Sequence, residues 1–310
     1  MRALIFPGQG SQAVGMAKDL AAHFPQARAV LDEVDAALSQ KLSHLMAEGP
    51  AEELTLTANA QPALMAASLA ALRVLEAEGG LDLARDVACV AGHSLGEYAA
   101  LAAAGSLSVT DAARLLRIRG EAMQAAVAPG AGAMAALIGT DVAAAHALAE
   151  EAAEGEACDV ANDNGGGQVV ISGDRAAVER AVALASAKGI KRAVMLNVSA
   201  PFHCRLMAPA ARTMAEALAA VSLAAPRVPL YANVTAAPVS GPDEIRAALV
   251  AQVTGTVRWR ESVAAMAQAG VGQFVELGAG KVLAGLVKRI APGAQASSVG
   301  TPADIAAFAL

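Results

Sequence analysis

Aromatic side chains make up only 3% of this 310-residue chain. With no lysine/arginine block and no basic residues interleaved with aromatics, the sequence lacks the footprint of a nucleic-acid binder. Its 23 basic residues stand against 29 acidic ones, a net charge of −6. Cysteine is rare as well. Cys89, Cys158 and Cys204 cannot all pair and have no metal-ligand spacing, which excludes a disulfide framework and leaves reduced, buried thiols as the expectation. Cys204 directly follows a histidine, so a reactive thiol there is the alternative. No apolar run reaches membrane-spanning length, because His93 and Glu97 interrupt the longest candidate. Met1 to Phe6 is too short for the apolar core of a signal peptide, so a cytoplasmic protein with no membrane partner is expected. Two glycine turns invite a phosphate reading, but Gly8-Gln9-Gly10-Ser11-Gln12 is neither GxGxxG nor GxxxxGK[ST]. Gly278-Ala279-Gly280-Lys281 lacks the leading glycine and the hydroxyl residue of a P-loop.

What the chain has is small apolar residues: it is 55% hydrophobic, mostly alanine, valine and leucine, enough to bury a core of helices on a sheet. One stretch organises it. Asp86 to Ala91 reads as a buried strand and Glu97 to Ala104 as a helix, so Gly92-His93-Ser94-Leu95-Gly96 is the sharp turn between them. GxSxG is the nucleophile-elbow pattern, in which glycines let strand and helix approach and the serine hydroxyl is lifted toward a ligand. An incidental serine in a glycine-containing turn fits the five residues equally well.

The remaining elements follow in order. Arg2 to Phe6 reads as a strand ending in the Pro7 to Gln12 loop, the place where ligands bind in open α/β sheets. Helices are expected over 16–23 and 27–38, a polar connection over 45–53, and a helix starting at Asn59 with Pro62 in its first turn. Ala112 to Ala126 reads as a helix on which Arg119 lies beside the apolar face, the usual place of a snorkelling boundary residue. From Pro129 the texture changes to β (133–138), α (141–154), β (158–161), β (168–172), α (175–187), β (193–198). That order predicts a ferredoxin-like (βαββαβ) subdomain over 130–198, inserted into a larger α/β unit formed by 1–129 and 199–310. Asn162 to Gly167 reads as a wide, flexible loop within it. Later elements are a helix over 205–220, a strand near 228–233, helices over 242–254 and 259–269, a strand over 272–276 and a helix over 282–290.

An exposed serine needs a base. His23 and His44 sit in polar helices, His146 lies in the small subdomain, and His93 is expected to point away from Ser94. His203, in a loop after Pro201 at the subdomain seam, is left as a structural or a catalytic histidine.

Seven ordered segments carry a resemblance: FPGQGSQ (6–12), NAQPAL (59–64), GHSLGEY (92–98), the RxRG segment (117–120), QVVISG (168–173), SAPFH (199–203) and ELGAGKVL (276–283). Across its length the chain resembles the malonyl-CoA:acyl carrier protein transacylases of fatty acid synthesis and the acyltransferase domains of polyketide synthases. The resemblance implies an α/β fold, an α/β-hydrolase-like core with a parallel sheet plus the ferredoxin-like insert. It implies Ser94 as nucleophile, His203 as base oriented by backbone carbonyls, one of them in the segment of Gln252, and the N–H groups of Gln9 and Leu95 as oxyanion hole. Arg119 would hold the malonyl carboxylate, Phe202 would limit the acyl pocket, and His93 and Asn162 complete the expected substrate-binding set. Malonyl-CoA and an acyl carrier protein would be the partners of a monomer. No cofactor or metal is implied, since CoA is part of the substrate and phosphopantetheine belongs to the carrier. Lys188, Lys191, Arg192, Lys281, Lys288 and Arg289 are candidates for docking an acidic carrier. Ala279 replaces the proline common in that turn. A serine hydrolase and a non-catalytic docking subunit remain the alternatives, as does a malonyl transferase serving malonate decarboxylase.

Overall fold

The structure, a computed structural model, describes residues 1–309. A six-stranded sheet carries the chain's two glycine-rich turns at its strand ends. Its strands are β1 (Arg2–Phe6), β2 (Cys89–Gly92), and, numbered in chain order past the four strands of the second sheet, β7 (Leu230–Ala232), β8 (Ala237–Val239), β9 (Gln273–Leu277) and β10 (Gln295–Val299). The order is β10-β9-β1-β2-β7-β8, parallel throughout except for the antiparallel β7/β8 pair. β1 is buried along its whole length, as expected of a central parallel strand covered by helices on both faces.

The second sheet is antiparallel, with β3 (Gly132–Ile138), β4 (Cys158–Gly165), β5 (Gln168–Asp174) and β6 (Arg192–Met195) in the order β4-β5-β3-β6. The fold is therefore mixed α/β with a parallel-dominated sheet and a separate antiparallel one. The segment before residue 258 joins the two: Val257 donates to the Ala161 carbonyl at 2.8 Å and accepts from the Asp163 N–H at 2.9 Å. Arg260 pairs with the buried Asp163 at 2.7 Å.

The helices are α1 (Lys18–His23), α2 (Pro25–Leu38), α3 (Leu42–Glu48), α4 (Ala51–Thr55), α5 (Thr57–Glu78), α6 (Leu83–Asp86), α7 (Gly96–Ala103), α8 (Val109–Ala125), α9 (Val142–Ala153), α10 (Arg175–Ala185), α11 (Ala208–Ala219), α12 (Pro242–Gln252), α13 (Trp259–Gln268), α14 (Val282–Ile290) and α15 (Pro302–Ala307). α5 is buried almost all round from Thr57 to Leu75, so it needs no polar face; it packs against α2, α7 and α8.

Four readings are corrected. Residues 45–53 are not a polar connection but the ends of α3 and α4, which bury Leu45, Met46 and Leu54. α5 begins at Thr57, which puts Pro62 inside the helix rather than in its first turn. Asn162 to Gly167 is not a wide loop: Asn162, Asp163 and Asn164 continue β4, and only Gly166 and Gly167 form the turn, at φ 60° and 77°. Three consecutive glycines there supply the positive φ values that a two-residue hairpin demands. α6, β8, β10 and α15 had no counterpart in the sequence reading, and Asp86, read as the start of the elbow strand, instead ends α6, so that β2 begins at Cys89. Among the described residues no helix is long and apolar enough to cross a membrane.

The elbow's glycines are steric requirements. A Cβ on Gly92 would lie 1.8 Å from the Gly96 carbonyl carbon, and one on Gly96 would lie 2.3 Å from the Phe6 carbonyl oxygen. Gly92→Ala is expected to cost about 3 kcal/mol, because only backbone could move aside. Gly285→Ala, in α14 with open space around it, should instead stabilise by about 0.5–1 kcal/mol. Urea denaturation of the two variants checks both signs.

Candidate active site

The C-terminal ends of β1 and β2 and one face of β3, β4 and β5 enclose a cavity of about 360 Å³. Gln9, His93, Ser94, Leu95, Arg119, Asn162, Phe202 and His203 all line it, while the Gln252 side chain is buried behind it with no exposed surface.

Ser94 occupies the turn between β2 and α7 at φ 54°, and His203 sits in its loop at φ 58°. Both are in the left-handed region, where a side-chain-bearing residue is strained and persists only if its surroundings hold it. For Ser94 the hold is Asn233: its Oδ1 accepts the Ser94 N–H at 2.8 Å and its Nδ2 donates to the Gly92 carbonyl at 2.7 Å. For His203 it is the carbonyl of Gln252, 2.9 Å from Nδ1. A carbonyl only accepts, so Nδ1 carries the proton and Nε2 is left to accept from the Ser94 hydroxyl at 2.7 Å. Burial, followed by the charge of Arg119, pushes the His203 pKa down to about 3. The imidazole is thus neutral and competent as a base across the physiological range.

Arg119, on α8, is 1% exposed. Its Nη1 donates to Gln61 Oε1 at 2.7 Å, and Nη2 donates to Gln252 Oε1 at 2.8 Å and Ser94 Oγ at 3.1 Å. Its Nε has no acceptor among the described residues. Burial lowers its pKa, but an arginine remains protonated, so the cavity holds a cation beside the serine. The guanidinium carbon lies 5.8 Å from the centre of the Tyr98 ring, within cation–π reach.

The N–H groups of Gln9 and Leu95 have no acceptor among the described residues, and both residues border the cavity next to Ser94. Gln9 is held there by a chain of side chains: Thr57 donates to Gln9 Oε1 at 2.9 Å, and Gln61 donates to Thr57 at 3.0 Å. His93 packs its ring on Trp259, centroids 5.7 Å apart, and its Nε2 lies 2.9 Å from Asn164 Oδ1. Bulges in β4 after Val160 and Asp163 interrupt its alternation where Asn162 and Asn164 face the cavity.

Gln61, Asn233, Asn164 and Glu97 are site residues that the sequence reading did not single out. Gln61 stands inside the quoted NAQPAL segment and Glu97 inside GHSLGEY; for Asn233 the only signal was a polar residue closing an apolar strand. Cys204 is fully buried, donates to the Pro201 carbonyl at 3.1 Å and has its thiol pKa pushed up to about 11 by burial, which makes it an inert thiol. Among the described residues no three metal-ligating side chains cluster.

Residues 3–303 match the acyl transferase domain family. The chain belongs to that family. The malonyl CoA-acyl carrier protein transacylase of Escherichia coli K12 is 48% identical over 305 residues, 98% of this chain and 97% of that protein. The crystal structure of an acyl-carrier-protein-S-malonyltransferase from Bartonella henselae superposes with a TM-score of 0.96 at 58% identity, covering 99% of this chain and 97% of the other. A malonyl-transacylase solved in complex with its type II PKS acyl-carrier protein superposes at 0.95 with 43% identity, covering 98% and 97%.

Within this acyl transferase fold the Ser94–His203 pair predicts its own pH profile. Modification of Ser94 by an uncharged phosphonofluoridate should keep about half or more of its plateau rate at pH 5.5, where an unperturbed imidazole would be about 90% protonated. His203→Ala should slow the modification by about 10²-fold or more. A wild-type rate that collapses below pH 6.5 would contradict the lowered pKa of His203, and an undiminished rate in His203→Ala would contradict its role as the base.

Proposed function

We propose that this chain is a malonyl-CoA:acyl carrier protein transacylase working through a malonyl ester on Ser94. The observation that carries the reading is the buried Arg119 cation in hydrogen-bond contact with Ser94 Oγ. A serine hydrolase has no use for a cation at its nucleophile, whereas an acyl group ending in a carboxylate does.

The steps follow from the geometry. Ser94 gives its proton to His203 Nε2 and Oγ attacks the thioester carbonyl. The oxyanion of the tetrahedral adduct is taken by the N–H groups of Gln9 and Leu95, donors of a kind worth about 10²–10³ in rate each. Collapse expels the CoA sulfur, which takes the proton from His203. The phosphopantetheine thiol of the carrier then gives its proton to His203, attacks the ester and releases Ser94, which recovers the proton. A malonyl carboxylate on Arg119 would also offset the charge that adds to burial in holding the His203 pKa down, so the correct substrate makes the base more basic. An acetyl group cannot do this. Phe202, buried against the cavity, would crowd a methyl branch on the malonyl carbon. His93 and Asn162 would bind the substrate on the opposite wall. No resident cofactor enters any step.

The large unit of residues 1–129 and 199–310 is read as α/β-hydrolase-like, and residues 130–198 as a ferredoxin-like insert, supported by their βαββαβ order and the β4-β5-β3-β6 sheet. A cytoplasmic monomer that meets its carrier through basic residues near the cleft completes the reading.

Radiolabelled malonyl-CoA should leave label on Ser94 that discharges to a holo-acyl carrier protein; label retained by Ser94→Ala would overturn the assignment. Arg119→Ala should lower malonyl transfer by about 10²-fold more than acetyl transfer. Equal losses for the two acyl groups would refute the carboxylate role of Arg119.

A further inference from the structure

The most buried acid of the site is a residue to which the reaction above gives no role. Glu97 stands in the first turn of α7, three residues after the nucleophile, with no exposed surface. Its Oε2 accepts from Gln252 Nε2, and its Oε1 has no partner among the described residues. The same Gln252 amide also donates to the Ser94 carbonyl at 2.9 Å, and through Oε1 accepts from Arg119 Nη2 at 2.8 Å. Arg119 and Glu97 are therefore joined as guanidinium, amide and carboxyl in line, with each hydrogen bond polarising the next. A flipped amide would set an N–H against the guanidinium and an oxygen against the Ser94 carbonyl and Glu97, so the charged ends fix its orientation.

Resting on the proposed carboxylate role of Arg119, we propose that Glu97 is a positioning residue that, through Gln252, balances the charge of Arg119 in the free enzyme and takes up a proton from solvent when the substrate carboxylate binds. Two carboxylates cannot both be ionised around one desolvated guanidinium without cost. The incoming one carries the acyl group and pairs directly, so the buried one becomes the acid, with Oε1 or Oε2 protonated. The groups facing Glu97 are Arg119 from α8, Tyr98 beside it on α7, and the uncharged Gln252 and Asn233; His203, bonded to the Gln252 carbonyl, is neutral. Burial, offset in part by the Gln252 amide, then by a backbone hydrogen bond from Asn233 and last by the Arg119 charge, raises the Glu97 pKa to about 7. Below pH 7 the carboxyl already holds its proton and malonyl binding is unhindered. Above pH 7 the proton must be supplied, and affinity falls.

The test is calorimetric titration of the Ser94→Ala protein with malonyl-CoA and acetyl-CoA at pH 7.5, in phosphate and in Tris, whose ionisation enthalpies differ. Malonyl-CoA binding is expected to take up roughly half a proton or more per chain, and acetyl-CoA binding none. In the otherwise wild-type enzyme, KM for malonyl-CoA should rise above pH 7 by up to about tenfold per pH unit. Glu97→Gln, which keeps an acceptor for Gln252 but cannot titrate, should abolish both the proton uptake and the rise. A Glu97→Gln protein with the wild-type pH profile, or a wild-type protein that binds malonyl-CoA over acetyl-CoA without proton uptake, would overturn the role of Glu97 and leave that of Arg119 standing. Equal binding of the two thioesters by both proteins would overturn the role of Arg119, and that of Glu97 with it. Proton uptake is measured with Glu97 intact, so the proposal stays falsifiable if Glu97→Gln does not fold.

Discussion

Arg119 is a guanidinium at 1% exposure, and removing such a charge from water costs several kcal/mol unless its donors are met. Much of the site's polar architecture answers that demand. Gln61 and Gln252 each turn a side-chain oxygen to the guanidinium, and Tyr98 lays its ring alongside. Gln61 is in turn fixed through Thr57 to Gln9, so a single chain of hydrogen bonds runs from the buried cation to the loop after β1. Gln252 links the cation to Glu97 and to the elbow carbonyl. After burial, the same charge is the next cause of the lowered pKa of His203. Placing one cation thus ties the first loop, His203 and Ser94 together.

Strain at Ser94 and His203 is held by neighbours that belong to other elements. Ser94 and His203 both have positive φ, a conformation that costs of order 1–3 kcal/mol per residue. Asn233, just after β7, ties the Ser94 amide to the Gly92 carbonyl, while the end of α12 supplies the carbonyl for His203. Neither hold is local in sequence. The elbow keeps its shape because β2, β7 and α12 meet there.

This distance in sequence explains what could be read from the residues and what could not. The elbow was legible because Gly92 is demanded by a contact inside the motif itself, with the backbone of Gly96 four residues on, even though Gly96 answers to the Phe6 carbonyl of β1. The βαββαβ order was legible because each element has its own periodicity. Arg119 was not: its position beside the apolar face of α8 fits a snorkelling residue, and only α5 and α12, which supply Gln61 and Gln252, make the position interior. Asn233 and Glu97 were missed for the same reason, since a polar residue closing a strand or entering a helix carries no local sign of its partners. The hairpin was misread in the opposite direction. Gly165 to Gly167 looked like slack chain, yet each has a positive φ that makes the turn tight.

The tight hairpin connects the two sheets to specificity. Because Val257 bonds on both sides of Asn162 and Arg260 holds Asp163, β4 is registered against the large unit. Asn164 therefore meets His93, and His93 is pinned between it and Trp259. A wall fixed at both ends cannot yield to a bulkier acyl group as a free loop would. On the proposed reading, the antiparallel sheet and Phe202 set the width of the cavity and Arg119 sets its charge. Size and charge are then selected by different parts of the chain, and a change in one need not disturb the other.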